Sequence, residues 1–518
     1  MTSPAFVTAR EPGGVVVETP RRSLPYFLLY GGATLGIAVG VERVAGFVSA
    51  SLAARIAGPQ TFGAYSVALA TAGTIAAYAG AGIGTTANRF SGQYPLGSVG
   101  YAKFLRTLTI VAVASCVLAA MLMFAAAMPL ARWVLHSDSL IPLFRIAAVS
   151  SGAMVLLECY RGLLIGQRKI QSLLVIAFVS GIAIVLLLPF MARIGAGAMI
   201  AAQASVALIV LCCYALFGKR LGIAPTKDAA SDGPGIRPIV KFGIVQFGAF
   251  AGISIATWGI ASLVVRSDPS LAQMGFYAVS NQLRGLAVIA PGLLTQIVYS
   301  VLTNESGAEY GGAQHVLLSS TIMTTLLVIL VAGLAMTVLP WILVAAYGRS
   351  YAGAELPILL LLATAIIHMS GQAAAQRLSI VKLRAIAVIN TLWAALLLVF
   401  GFMLIPKYGA AGAALGFLAA HAISNTLVTI SLYRQNDLPQ GFLSSATFTF
   451  LCTAAMVSVG YARAAKILFN GSATFLTALA WLLALVAIAL IGMKHGCFPE
   501  FSFKRKQSAQ TVPSLSQT

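Results

Sequence analysis

The chain has 518 residues, 59% of them hydrophobic and only 9% charged, with 33 Lys and Arg against 13 Asp and Glu. A soluble protein carries about 25% charged residues, so a mean hydropathy of +0.92 excludes water as the main solvent and indicates an all-α polytopic membrane protein. The net charge of +20 would suit nucleic acid, but its distribution along the chain follows membrane topology, and no nucleic-acid partner is expected.

Residues 1–25 carry Arg10, Arg21 and Arg22 without an apolar core or a cleavage-like site, and read as a cytoplasmic tail rather than a signal peptide. About 20 apolar residues cross a bilayer as a helix. Runs of that kind are predicted at 28–53, 62–87, 108–131, 140–163, 171–192, 196–217, 241–264, 275–301, 317–345, 356–380, 386–405, 411–433, 445–462 and 473–493, which gives about fourteen spans. The runs are continuously apolar rather than alternating, so helices are expected and not a barrel. The first six form an N-terminal lobe over 26–218. The polar stretch 219–240 is a cytoplasmic linker, and six further spans form a C-terminal lobe over 241–434. Residues 435–495 hold the last two spans, and 496–518 are a Ser/Gln-rich tail.

With the N-terminus inside, 22 of the 33 basic residues fall in inward segments and eight in outward ones, Arg463 among the latter. The remaining three, Arg43, Arg145 and Arg284, lie within spans. Short cytoplasmic loops collect Lys and Arg, so this asymmetry places both ends inside.

Charge at bilayer depth is costly, about 2.5–3.5 kcal/mol per residue on insertion scales, so the polar residues within spans are the candidates for function. Glu42 and Arg43 are adjacent in the middle of the first span and point about 100° apart, so at least one needs a partner on another helix. Arg89 lies near the inner end of the second. Glu158 and Arg161, three residues apart, pair near the inner end of the fourth. The eighth carries "NQLRG", which supplies Asn281, Gln282 and Arg284. The tenth holds His368 and Gln372, and His421 shares a face of the twelfth with Asn425.

Soluble-enzyme signatures are absent: there is no G-x-x-x-x-G-K-[ST], no H-E-x-x-H and no C-x-x-C. Neither ATP hydrolysis nor a metal site is supported, and "GAGIG" at 80–84 sits inside a span, where small residues mean helix contact. A transporter without a cofactor is therefore expected rather than an enzyme, with a proton or sodium gradient as the open alternative for coupling.

The two halves repeat in order. "ARIAGPQTFGAYSVA" at 54–68 is echoed by "VRSDPSLAQMGFYAVS" at 265–280, "LIPLFRIAA" at 140–148 by "ELPILLLLA" at 355–363, and "LLPFMARIGAGAMIAA" at 187–202 by "FMLIPKYGAAGAALGF" at 402–417. Offsets run from 211 for Arg55/Arg266 to 217 for Pro189/Pro406. Six spans per copy preserve orientation, which is a parallel repeat. Such pairs place the substrate between the halves and work by alternating access.

The motif "RIAGPQTFGAY", with "YGRSYAGAELPILLLL" and "IPKYGAAGAALG" further along, resembles the polysaccharide transporter branch of the multidrug/oligosaccharidyl-lipid/polysaccharide exporter superfamily, over about residues 26–435. The resemblance implies a bacterial inner-membrane flippase. It would carry undecaprenyl-diphosphate-linked oligosaccharide units, as used for O-antigen and exopolysaccharide, from the cytoplasmic to the periplasmic leaflet. Membrane lipids surround it, and a polysaccharide polymerase and chain-length machinery are candidate partners. It further implies that Arg43, Arg89 and Arg284 line a cationic cavity for the diphosphate, with Glu42, Asn281 and Gln282 beside them. Glu158, Arg161, His368, Gln372 and His421 stand as gate or coupling candidates. A multidrug-type antiporter is the alternative, although basic groups outnumber acids in mid-span. A membrane polymerase or acyltransferase is a more distant third, because the outward loops are short and hold no His/Asp/Ser group.

Overall fold

The computed structural model describes residues 24–94, 98–217, 235–295 and 312–497. These residues are helical throughout, with no strand among them: α1 (Leu24–Gly80), α2 (Ile83–Ser91), α3 (Val99–Pro129), α4 (Leu140–Gly166), α5 (Ile170–Ala192) and α6 (Ala196–Phe217) make the N-terminal half. Then come α7 (Ile236–Ser267), α8 (Ala272–Ala287), α9 (Ala313–Val328), α10 (Glu355–Val381) and α11 (Leu383–Tyr433), followed by α12 (Phe442–Ala464) and α13 (Asn470–Lys494). Ten helices among the described residues are long and apolar enough to cross a membrane. Leu186, Phe402 and Phe475 are each more than 60% exposed on the outside of the bundle, a surface that only lipid solvates well.

Two of the ten elements are too long for one crossing. At 1.5 Å per residue, α1 and α11 would run to about 85 and 77 Å, against a hydrocarbon core of about 30 Å. Each is divided by a glycine with non-helical backbone, Gly58 (φ 75, ψ 168) in α1 and Gly409 (φ 55, ψ −129) in α11. These are the Gly positions of "RIAGP" and "PKYGA" in the sequence, and their left-handed φ is readily available only without a Cβ.

Several predicted limits shift. The linker expected over 219–240 lies largely outside the described residues, but its last five residues already belong to α7. Gly235 is extended (φ −71, ψ 177), and Pro238 falls in the first turn, where its missing N–H costs nothing. The ninth span, expected to run unbroken to 345, is interrupted by a π-helical turn at Ile329–Gly333 and again at Val338 before Pro340. The eighth passes through a turn at Val288, and its predicted end at 301 lies outside the described residues. Arg463, assigned above to an outward loop, is instead within α12 and buried there, with Nε donating to Glu355 Oε1 of α10 at 2.8 Å. The ion pair across helices offsets the cost of burying that charge.

Neighbour relations recur between the halves. In the first, α1 packs on α5, α3 on α4 and α4 on α6; in the second, the corresponding contacts are α7 on α11, α9 on α10 and α10 on α11. The most buried span is the one containing α10, 72% of whose apolar window is inside the protein, against 22% for α13. α10 is therefore the centre of the C-terminal half; α12 packs on its flank, and α13 packs on α12 and α9.

The halves meet most closely where α1 turns at Gly58. Gly63 lies against the Leu271 carbonyl and Gly275 against the Pro59 carbonyl, so closely that a Cβ on either would overlap backbone. Around this crossing Tyr351 donates to the Ala54 carbonyl at 3.2 Å, Arg55 to the Ala345 carbonyl at 2.5 Å, and the Ala410 N–H to Gln273 Oε1 at 2.9 Å. We call this the hinge-glycine end. Away from it, α1 and α7 are joined by Trp258 Nε1 donating to Thr71 Oγ1 at 3.1 Å and Tyr78 donating to the Ala251 carbonyl at 2.8 Å.

Candidate functional site

Glu42 and Arg43 sit on the segment of α1 that faces α4, α5 and α8. Two neighbouring cavities open there. One, of about 530 Å³, is lined from the N-terminal half by Glu42, Ser49, Tyr65, Arg161, Gln203 and Tyr214, with Ala278 and Gln282 of α8 closing its far wall. The second, of about 650 Å³, lies directly between α1 and α8 and is lined by Glu42, Arg43, Arg161, Asn281, Gln282 and Gly285, among others. The charged groups on its wall are two guanidinium groups and one carboxylate.

Those three charges are arranged unequally. Arg161 Nη2 donates to Glu42 Oε1 at 2.5 Å, and its Nη1 to Glu158 Oε1 at 3.4 Å. The partner that Glu42 needs is thus on α4 rather than next to it in sequence, since one residue along a helix turns the side chain about 100° away. The Glu42 and Arg161 side chains are 42% and 41% exposed to the cavity. An accessible pair of that kind contributes no more than about 1 kcal/mol. Arg43 is exposed and makes no hydrogen bond or ion pair among the described residues.

The other expected residues are distributed differently. Arg284 faces a third space of about 470 Å³ between α1, α7, α8 and α11, lined by Ser66, Thr74, Ser254, Trp258 and Phe417 as well. Its Nε donates to Asn281 Oδ1 at 3.2 Å, and its guanidinium carbon lies 5.5 Å from the centre of the Phe417 ring. Asn281, with Ala278, therefore lines both the Arg43 cavity and the Arg284 space, and the two form the wall between them. Arg89, at the end of α2, lines none of these cavities. It stacks on Phe242 of α7 at 4.4 Å and is otherwise exposed, a joint between the halves rather than part of their hollow. Gln282 joins the two larger cavities and accepts a hydrogen bond from Tyr347 at 3.3 Å.

His368 and His421 lie inside the C-terminal half, ring centres 4.6 Å apart, with Trp393 5.1 Å from His421. Neither lines the three cavities, and Gln372, one turn beyond His368, does not either. Asn425 donates to the Ile367 carbonyl at 2.5 Å and holds α11 on α10. Among the described residues no group of three His, Cys, Asp or Glu side chains is placed to hold a metal ion.

The sequence reading missed Ser180, Gln203 and Tyr214, which add hydrogen-bonding groups to the 530 Å³ cavity. They were visible as isolated polar residues in α5 and α6, a signal far weaker than a charge, because Ser and Tyr are tolerated in membrane helices for packing alone. Arg145 is accounted for by stacking near Phe124 at 5.5 Å.

Comparison with known proteins places this arrangement. No curated protein matches the chain. Among solved structures, the lipid II flippase MurJ in an inward closed conformation superposes with a TM-score of 0.65, at 14% identity over 89% of this chain and 98% of that one. A multidrug resistance MATE family transporter of the MOP superfamily, inward-facing, gives 0.54 at 13% identity over 77% and 97%. A MOP superfamily transporter from Pyrococcus furiosus gives 0.51 at 16% over 79% and 95%. At these identities the likeness is one of fold: this multi-pass membrane protein shares its helical arrangement with those structures. The model of one family, described as polysaccharide biosynthesis protein, matches residues 28–303, more than half of the sequence, and this chain belongs to that family.

Proposed function

We propose that this protein moves a lipid-linked, diphosphate-bearing oligosaccharide from the cytoplasmic to the periplasmic leaflet of a bacterial inner membrane, by alternating exposure of the space between its halves. In this reading α1 and α11 each cross twice, which gives fourteen crossings, the hinge-glycine end faces the periplasm and both termini are cytoplasmic. The observation that carries the proposal is the cavity between α1 and α8, in which Arg43 and Arg161 stand against the single carboxylate of Glu42.

The physical problem is to take a diphosphate and its sugars across about 30 Å of hydrocarbon while the prenyl chain stays in lipid. A hydrated groove with fixed guanidinium groups supports this, because they replace water around phosphate oxygens by charge-assisted, often bidentate contacts. Ser180, Gln203, Gln282 and Asn281 supply neutral donors and acceptors of the kind that sugar hydroxyls need. A cation-exporting antiporter would favour excess acid in the same place, and Glu42 is already committed to Arg161.

The test is export. Arg43→Gln, inserted in the membrane at wild-type level, is expected to lower surface polysaccharide at least tenfold and to leave lipid-linked units on the cytoplasmic leaflet. Unchanged export with Arg43→Gln would reject the cavity as the cargo path.

A further inference from the structure

We infer that Arg161 is the second arm of a diphosphate site, and that the carboxylate of Glu42 occupies this site as an internal stand-in for the cargo when none is bound. The inference rests on the proposed anionic headgroup and goes further by naming the residue that closes on it and the one that must leave.

Arg161 reaches from α4 across to α1, where its Nη2 meets Glu42 Oε1 at 2.5 Å. That is the contact a phosphate oxygen would make with the same guanidinium, since carboxylate and phosphate present oxygens of similar geometry to an Arg fork. Arg43 lines the same 650 Å³ cavity and has no partner among the described residues. The charges lining the cavity are therefore one carboxylate short of neutral, with Arg161 paired to Glu42 and, from outside the lining, to Glu158, while Arg43 has no such partner.

A diphosphate brings more charge and more oxygens than one carboxylate. It can engage Arg43 first and then take Arg161 from Glu42, because a half-exposed pair is weakly held. Cargo entry is then an exchange of anions on a guanidinium rather than the filling of a bare cationic hole. The exchange has a second consequence. When the cavity opens to the other leaflet, the returning Glu42 carboxylate competes with the headgroup and hastens its departure. Self-occupancy lowers the apparent affinity by the fraction of molecules in which Arg161 is free, and it raises the rate of release.

The experiment measures binding of inorganic pyrophosphate and of farnesyl diphosphate to the purified full-length protein in nanodiscs, with export measured in cells. Glu42→Gln keeps the size of the side chain and removes its charge. Both probes should bind about fivefold more tightly to it, the factor that an accessible ion pair of ordinary strength represents, while export falls because release is slowed. Arg161→Gln should weaken binding, and adding Glu42→Gln to it should give no gain, the non-additivity expected of a direct pair. Glu42→Asp, which keeps the charge on a shorter stem, should fall between wild type and Glu42→Gln. Tighter binding of farnesyl diphosphate than of pyrophosphate identifies a lipid-borne headgroup. Equal binding would point to a free diphosphate and overturn the lipid-linked part. If Arg43→Gln abolishes binding but Glu42→Gln and Arg161→Gln do not change it, the stand-in idea fails and the cargo reading stands. If the wild type binds neither probe, both fail.

Discussion

The guanidinium of Arg463 is 2% exposed and Glu355, its partner, 25%. Nε of Arg463 donates to the carboxylate, while its Nη1 and Nη2 have no hydrogen-bond partner among the described residues. A charge in that position depends on its one counter-ion, in contrast to the accessible Glu42–Arg161 pair. Removing one partner of a buried pair costs about 3–5 kcal/mol, whereas replacing both by apolar residues of similar volume is often neutral. Glu355→Gln is therefore expected to lower the unfolding temperature of the detergent-solubilised protein markedly, and Glu355→Gln with Arg463→Met to recover most of the loss. A double variant as unstable as the single one would show that the contact does not hold α12 on α10. By the same reasoning Glu42→Gln should scarcely move the unfolding temperature, so stability separates the two ion pairs even though both join different helices. Pairings of this sort were only half legible in the sequence. Glu42 announced that it needed a partner because charge is rare in such a helix, but nothing in the local pattern pointed to Arg161, 119 residues away, or to the Glu355–Arg463 contact.

At the scale of elements, the Gly-x-Tyr motif has a direct structural meaning. Gly63 and Gly275, 212 residues apart, are placed so that the start of each helix after the turn packs on the backbone of the other half. Their lack of a Cβ is what lets two helices approach to backbone contact, and Tyr65 and Tyr277, two residues on, are both buried. The repeat was visible in the sequence as an offset, and the motif as a resemblance. That the two copies of the motif touch each other was not, because sequence periodicity carries no information on contacts between repeats. If this crossing seals the hinge-glycine end, a single methyl group should weaken the seal. Gly63→Ala or Gly275→Ala is expected to raise, several-fold, the labelling of a cysteine placed at Ser66 by a membrane-impermeant thiol reagent added from the periplasmic side. Ser66 is suited to this because it lines both the 530 Å³ cavity and the Arg284 space. Labelling unchanged by either substitution would mean that the closure lies elsewhere.

At the scale of the whole molecule, the fold was legible to the extent that hydropathy governs it. Apolar runs gave the helices, and glycine and proline breaks gave most turns, since lipid forces the backbone to satisfy itself within each helix. The cavity was legible only as a set of unpaired polar residues. Arg43 and Arg284, expected to line one cavity, face adjoining spaces with Asn281 between them, because Arg43 projects from α1 toward α4 and one side of α8, whereas Arg284 projects from α8 toward α7 and α11.

The arrangement also suggests how the halves must move. α1 also approaches the helical stretch that follows α8 beyond the turn at Val288, far from the glycine crossing, where a Cβ on Gly36 would lie 3.4 Å from Leu293 Cδ1. Between this contact and the packing of Phe47 on Tyr347, ring centres 6.5 Å apart, lies the cavity with Arg43. On the proposed function, a headgroup whose tail remains in lipid cannot enter along the axis of the bundle and has to enter sideways, and the Arg43 cavity lies directly between α1 and α8. Joining α1 covalently to the stretch that follows α8, at the Gly36–Leu293 contact, should therefore block transport without touching any charged residue. With Gly36→Cys and Leu293→Cys combined, oxidation is expected to abolish polysaccharide export and reduction to restore it, while each single variant exports normally. Export by the oxidised, fully cross-linked protein would rule out lateral entry between α1 and α8.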